Sequence, residues 1–221
     1  MIKAFIFDLD GVITDTAKLH YLAWQEIVKK LNISYSEEEN DKLRGLPRLD
    51  TLKAILKLKK INHSLNEDQL IDLCNQKNDL YKELLKKAIN KDSVLPGISE
   101  LLHKAKQNGI KLAVASSSYN APVILEKLEL IGLFDYIVNP GEIKNGKPAP
   151  DIYIKASQGL NVEIDECIGF EDAISGLEAI KSSNMKAVVI THDSLEDFSK
   201  ADLIYKKTNE LEFHTIINYF K

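Results

Sequence analysis

Apolar residues recur along this chain in two rhythms. Ile2 to Phe7 (IKAFIF) is a short run of strand-favouring residues that ends in acids and Gly11, the pattern of a buried strand feeding a loop. From Thr14 to Leu31 the rhythm becomes helical, with Leu19, Leu22, Ala23, Ile27, Val28 and Leu31 near a 3.6-residue period. Helical character continues through Ala54-Ile55, Leu70 to Leu73 and Tyr81 to Leu85, and no strand pattern breaks it between Asp15 and Lys91. After Val94 short apolar runs alternate with helical segments. Pro96-Gly97 opens a helix that ends near Gly109, and Ile110 to Ala115 reads as a buried strand. Asn120 is placed to cap a helix with Pro122 in its first turn, and Tyr136 to Val138 is a strand. A helix over Pro150 to Gln158 stops near Gly159. Glu166 to Gly169 is a strand, Ala173 to Ser182 a helix, and Ala187 to Ile190 a strand.

Strands alternating with helices predict an α/β fold with a parallel sheet covered on both faces. The helical block then interrupts that core after its first strand. The expected division is a core of residues 1–14 and 93–221 and a helical insert of residues 15–92. In open parallel sheets, ligands bind beyond the carboxyl ends of the strands. The chemistry-bearing residues fall at such exits: Asp8 and Asp10 after the first strand, Ser116 after IKLAVA, and Glu171 and Asp172 after CIGF. Lys147 lies in the loop that follows the YIV strand.

Composition narrows the classes. The 221 residues are 44% hydrophobic, enough for a core domain with a smaller insert. The formal net charge is -4 and the lysines are interleaved with acids, so no basic field points to nucleic acid. Cys74 and Cys167 are far apart and outside any CxxC pattern, which argues against a zinc site or disulfide framework and fits a reducing cytoplasm. Met1 to Phe7 is too short for a signal peptide, and no apolar run approaches the roughly 18 residues that span a bilayer. A monomer is the expected state.

Asp8-Leu9-Asp10-Gly11 is the sharpest local feature. Side chains two apart on extended backbone point the same way, so two carboxylates face one pocket and repel unless a cation or proton intervenes. Glu171-Asp172 adds negative charge from another strand end. Converging carboxylates with no cysteine or histidine cluster are hard oxygen ligands that favour magnesium. One aspartate can attack phosphorus and become an acyl phosphate while the other moves a proton. Ser116 and Lys147 are placed to surround the charge that spreads over a phosphoryl group in transfer. Singly, each of these is an ordinary loop or helix-capping residue. Together, in order and each at a strand exit, they describe a phosphoryl-transfer site.

The motifs FDLDGVITDT, ASSS, GKPAPDIY and IGFEDAISG resemble those of the haloacid dehalogenase superfamily, over essentially the whole chain. The resemblance implies a Rossmann-like parallel-sheet core with a small helical cap domain inserted after the first strand. It implies Asp8 as nucleophile and Asp10 as general acid/base, with Ser116 and Lys147 on the transferring phosphoryl group. Magnesium would be held by Asp8, the Asp10 backbone carbonyl, Glu171 and Asp172. Within the superfamily the chain is similar to the β-phosphoglucomutases, through GVITDTAKLHYLAW, RGLPRLDTL and QKNDLY. That likeness implies a small-molecule sugar phosphate as substrate. Thr16, His20 and Trp24 would line the cap entrance, Gly45, Arg48 and Asp50 would form a substrate-facing cap loop, and Lys77 would be a further contact. Ser117, Ser118 and Asn120 would join Arg48 in holding the sugar phosphate, the last two at its non-reacting phosphate.

Two positions depart from the family pattern. Tyr119 stands where a lysine is common, and Pro47 where a serine is common. The first removes a positive charge and the second a backbone donor. His20, Arg48 and Lys77 favour a mutase that interconverts β-glucose 1-phosphate and glucose 6-phosphate. Tyr119 and Pro47 lean toward a sugar-phosphate phosphatase. His103, His192 and His214 show no partner pattern and read as structural or solvated.

Overall fold

The computed structural model describes residues 1–43, 46–61 and 65–221. The chain divides into two compact units, Met1–Asp15 with Asn90–Lys221, and Thr16–Ile89.

The first unit is built on a parallel sheet. Among the described residues it has six strands: β1 (Ala4–Phe7), β2 (Lys111–Val114), β3 (Tyr136–Ile137), β4 (Cys167–Glu171), β5 (Lys186–Ile190) and β6 (Leu203–Tyr205). Their order is β3-β2-β1-β4-β5-β6, the doubly wound arrangement. The chain runs outward from β1 in one direction, then returns past it to β4. The two strands at that reversal, β1 and β4, pair in parallel register with Phe7 opposite Phe170. Every residue of β1 and β4 is buried, as strands covered on both faces must be.

The pleat sorts the side chains. Ala4 and Ile6 join Ala113, Ala115, Ala187 and Val189 in a core against Ile152, Tyr153 and Ala156 of α7 (Asp151–Leu160) and Leu177 and Ile180 of α8 (Ile174–Ser182). Phe5, Phe7 and Phe170 cluster as aromatics, with the Phe7 and Phe170 rings stacked at 4.4 Å between centroids. Helices α5 (Ile98–Gln107), α6 (Ala121–Lys127) and α9 (Phe213–Tyr219) complete the unit.

The second unit holds α1 (Ala17–Lys29), α2 (Glu37–Asp41), α3 (Arg48–Leu58) and α4 (Glu67–Ala88). Its core is Trp24, Val28, Ile33, Tyr35, Leu52, Ile55, Leu56, Leu70 and Cys74. Helix α4 starts at a reciprocal cap in which Asn66 accepts from Gln69 N–H and Gln69 accepts from Asn66 N–H.

Several boundaries differ from the sequence expectation. Thr14 is not helical: it forms a β-bridge with Asp10, and α1 begins at Ala17. Helix α7 runs through Gly159 and stops at Asn161, which takes the left-handed φ of 52°. Gly159 has a packing role instead, because a Cβ there would lie 2.4 Å from the Tyr136 ring. Asn120 occupies the N-cap position of α6 but its side chain makes no capping bond. Arg48 opens helix α3 rather than sitting in a loop. β6 and α9 were not expected at all.

Asp135 joins the sheet edge to the helices by accepting from Leu112 N–H at 2.8 Å and from Lys106 Nζ at 2.8 and 2.9 Å. Burial alone would raise its pKa, but Lys106 and the Leu112 N–H together hold it below the ordinary 3.8. A depressed carboxylate stabilises the fold above its unfolded pKa and loses that contribution as pH falls through the folded value. Asp135→Asn should therefore be less stable than the parent at neutral pH. The gap should close as the pH is lowered through the folded value, read from urea midpoints at pH 7 and pH 3.

Candidate active site

The end of β1 and the end of β4 bring the acids together. Asp8 is the first residue after β1, and its N–H donates to the Phe170 carbonyl at 2.9 Å. Glu171 is the last residue of β4 and Asp172 follows it. One carboxylate oxygen from each of Asp8, Glu171 and Asp172 lies within 4.8 Å of the others. The Asp10 carboxylate is not one of these three, but its charge is felt at Asp8. Asp10 instead sits in a turn closed by Gly11 N–H to the Thr14 carbonyl at 2.7 Å.

Lys147 enters the cluster from the loop before α7. Its ammonium lies 2.6 Å from Asp8 Oδ1 and 2.5 Å from Glu171 Oε1. All three side chains are buried. Glu171 Oε1 also accepts from Tyr153 Oη at 2.9 Å, and Oε2 accepts from the N–H groups of Asp172 and Ala173 at 3.0 and 3.2 Å. Those four bonds use the accepting capacity of a carboxylate.

Two glycines let the backbone come this close. A Cβ at Gly11, where φ is 80°, would lie 1.9 Å from Asp172 Oδ2. A Cβ at Gly176 would lie 1.8 Å from Glu171 Oε1. Only a residue without a Cβ fits either place.

The electrostatics follow. Burial pushes the Asp8 pKa up to about 7; Lys147 opposes the shift, and Glu171 and Asp10 add to it. Burial alone would lower Lys147, but Asp8 and Glu171 raise it further, so it stays an ammonium. Burial and the neighbouring Glu171 hold the Tyr153 phenol far above its usual value. Three carboxylates around one ammonium leave an excess of negative charge in a partly buried site. That excess and the all-oxygen donor set fit a divalent cation such as magnesium.

The serine loop after β2 is compact. Ser116 is buried and its Oγ accepts from Ser118 N–H at 3.1 Å, while Ser118 Oγ accepts from Asn120 N–H at 3.2 Å. Ser117 and Ser118 are half-buried and Asn120 is buried. Tyr119 is exposed beside the turn at Pro140–Glu142.

The helical unit has its own polar cluster. Lys77 is 2% exposed, an unusual burial for an ammonium. Its Nζ is 2.6 Å from His20 Nδ1, and it lies over the rings of Tyr81 at 4.5 Å and Trp24 at 5.3 Å. Thr16 Oγ1 and Tyr81 Oη are hydrogen-bonded at 2.7 Å. Trp24 is at once part of the unit's apolar core. Arg48 Nη2 donates to Asn78 Oδ1 at 2.9 Å, and Asp50 is exposed in the first turn of α3. Gly45 lies outside the described residues. Sequence reasoning missed Tyr153 and His192. The first reads as one more apolar position of α7, and the second meets a backbone carbonyl.

A doubly wound sheet with an aspartate at the exit of its central strand and an acidic pair at the next defines a class of phosphoryl-transfer proteins. Residues 5–190 match the haloacid dehalogenase-like hydrolase family, and the chain belongs to it. It is 40% identical to the β-phosphoglucomutase of Bacillus subtilis over 209 residues, 95% of this chain and 91% of that protein. A crystal structure of β-phosphoglucomutase from Clostridium difficile superposes with a TM-score of 0.94 at 40% identity, covering 100% of this chain and 97% of that one. The phosphorylated carbohydrates phosphatase of Thermotoga maritima is 33% identical over 88% of both chains.

Gly11→Ala should cut turnover by about a hundredfold or more, since its Cβ must displace the Asp172 carboxylate. Circular dichroism should show the fold retained, because the added left-handed strain is only about 1–2 kcal/mol. Steady-state kinetics beside the unfolding curve checks both.

Proposed function

We propose that this chain is a magnesium-dependent β-phosphoglucomutase that interconverts β-glucose 1-phosphate and glucose 6-phosphate through an aspartyl phosphate and glucose 1,6-bisphosphate. The observation that carries the choice of substrate is the 40% identity over 95% of the chain to a β-phosphoglucomutase. The lysine-bridged Asp8–Glu171 pair supports the chemistry. The protein works as a cytoplasmic monomer on a small sugar phosphate, without nucleic acid or membrane. Two buried thiols, Cys74 and Cys167, suit a reducing compartment, and no helix among the described residues is long and apolar enough to cross a membrane.

In the proposed cycle Asp8 carries the phosphoryl group. Asp10 takes the proton of the C6 hydroxyl of β-glucose 1-phosphate as that oxygen bonds to phosphorus and the bond from phosphorus to Asp8 breaks. The bisphosphate turns around. Asp8 then attacks the C1 phosphorus, the bond to the C1 oxygen breaks, and Asp10 returns its proton to that oxygen. Lys147 and Ser116 hold the phosphoryl oxygens in both halves. When Lys147 turns to a phosphoryl oxygen it frees a lone pair on Glu171. Asp8, Glu171, Asp172 and the Asp10 carbonyl would hold a magnesium ion, which would supply positive charge against the repulsion between carboxylate and phosphate. Thr16, His20, Trp24, Gly45, Arg48, Asp50 and Lys77 are assigned to sugar-phosphate binding, with Ser117, Ser118 and Asn120.

The mutase reading is tested with magnesium, β-glucose 1-phosphate and a trace of glucose 1,6-bisphosphate. Glucose 6-phosphate should form in large excess over free phosphate and vanish with Asp8→Asn. Free phosphate without isomerisation would sink the reading in favour of a phosphatase.

Tyr119 offers a phenol where a cation would help hold a second phosphate. Tyr119→Lys should lower the KM for glucose 1,6-bisphosphate by about two- to fivefold with kcat unchanged, the range of an exposed charge pair. The gain should shrink as salt is added.

A further inference from the structure

The loop that leaves β5 carries two consecutive residues with a left-handed backbone, His192 at φ 48° and Asp193 at φ 61°. Residues with a Cβ disfavour this region and stay there when the surroundings hold them. What holds His192 is visible at both ends. Its N–H extends the sheet pairing to the Lys206 carbonyl at 3.0 Å. Its ring reaches the nucleophile loop, where Nε2 lies 2.6 Å from the Gly11 carbonyl oxygen, 181 positions away in sequence. A carbonyl can only accept, so Nε2 carries the hydrogen and His192 donates.

Gly11 is the point where that anchor matters. Its N–H is tied to the Thr14 carbonyl, and its carbonyl is tied to His192. Both backbone groups of Gly11 are therefore fixed. Asp10 immediately precedes it, and the Gly11 backbone lies so close to the Asp172 carboxylate that a Cβ there would fall 1.9 Å from Oδ2. A shift of Gly11 would move the proton-transfer residue and one of the acidic ligand candidates together.

The geometry points to His192 as a positioning residue for phosphoryl transfer, acting through Gly11 on Asp10 and Asp172. This rests on the assignment of Asp10 as general acid/base. The contribution is orientation, so its loss falls on kcat rather than on substrate affinity.

Two variants separate the hydrogen bond from the backbone strain. His192→Asn tolerates the left-handed backbone but is too short to reach Gly11, whereas the amide of His192→Gln reaches the position of Nε2. Each is assayed with magnesium on β-glucose 1-phosphate with bisphosphate, and on acetyl phosphate, whose hydrolysis needs Asp8 and Asp10 but no sugar. His192→Asn should lose about tenfold or more in kcat with KM within about twofold and an almost unchanged thermal midpoint, and His192→Gln should recover kcat to within about threefold of the parent. Full kcat in His192→Asn would overturn the inference. So would equal losses in both variants that follow the thermal midpoint, since those report a structural role. A parent active on acetyl phosphate but not on the sugar would defeat the mutase reading alone and leave the His192 comparison valid. A parent inert toward both would defeat the two together.

Discussion

A buried ammonium between two carboxylates sets the terms for everything around it. Lys147, Asp8 and Glu171 come from three separate stretches of chain, and taking each charge out of water costs several kcal/mol. Their mutual attraction and the further donors on Glu171 offset that cost only if all three arrive together. The cluster therefore makes the exits of β1 and β4 and the loop before α7 interdependent. It also leaves the site with too little positive charge, because Asp172 adds a third carboxylate. A phosphate ester brings more negative charge still, so a pocket of this kind admits one only alongside added positive charge. The acids that look hostile to a phosphate ester thus form an all-oxygen donor set that suits a divalent cation.

The sheet supplies the precision such a cluster needs. Phe7 and Phe170 are register partners with stacked rings, and Asp8 and Glu171 are the next residue on each strand. A slip of one residue would turn either carboxylate to the other face and bury a phenylalanine's neighbour in its place. The glycines work at finer scale. Gly11 and Gly176 let backbone meet carboxylate where any side chain would collide. Register brings the acids to the same end of the sheet, and the missing Cβ atoms leave room for the Asp172 and Glu171 carboxylates there.

The parts legible in the sequence were those with a side-chain signature. The strands around DLD and CIGF are dense apolar runs followed at once by charged residues, so Asp8, Lys147 and the Glu171-Asp172 pair could be placed beside one another from pattern alone. Asp8 feels the charge of Asp10, as two acids at one strand exit predict, although the chain already turns at Gly11. Gly159 was read as a helix stop, yet its role is set by Tyr136 on another strand, which no local window contains. Gly45 and Pro47 suggest a loop around Arg48, but a proline just before a helix is a permitted start. His192 left no trace because its partner is a carbonyl that every residue possesses. β6, a short edge strand with two partly exposed residues and one exposed residue, lacks the apolar density that marks a buried one.

The helical unit adds a different constraint. A compact four-helix core of Trp24, Val28, Leu52, Ile55 and their neighbours has no need of an ammonium for stability. An apolar side chain of similar length at position 77 would fill the space at less desolvation cost. Lys77 is nonetheless buried there, beside His20 and the faces of Tyr81 and Trp24. Lys147, by contrast, is held between two carboxylates. The core unit spends its lysine on two carboxylates to assemble a phosphoryl site common to the family. The helical unit buries its lysine beside a histidine and two aromatic faces.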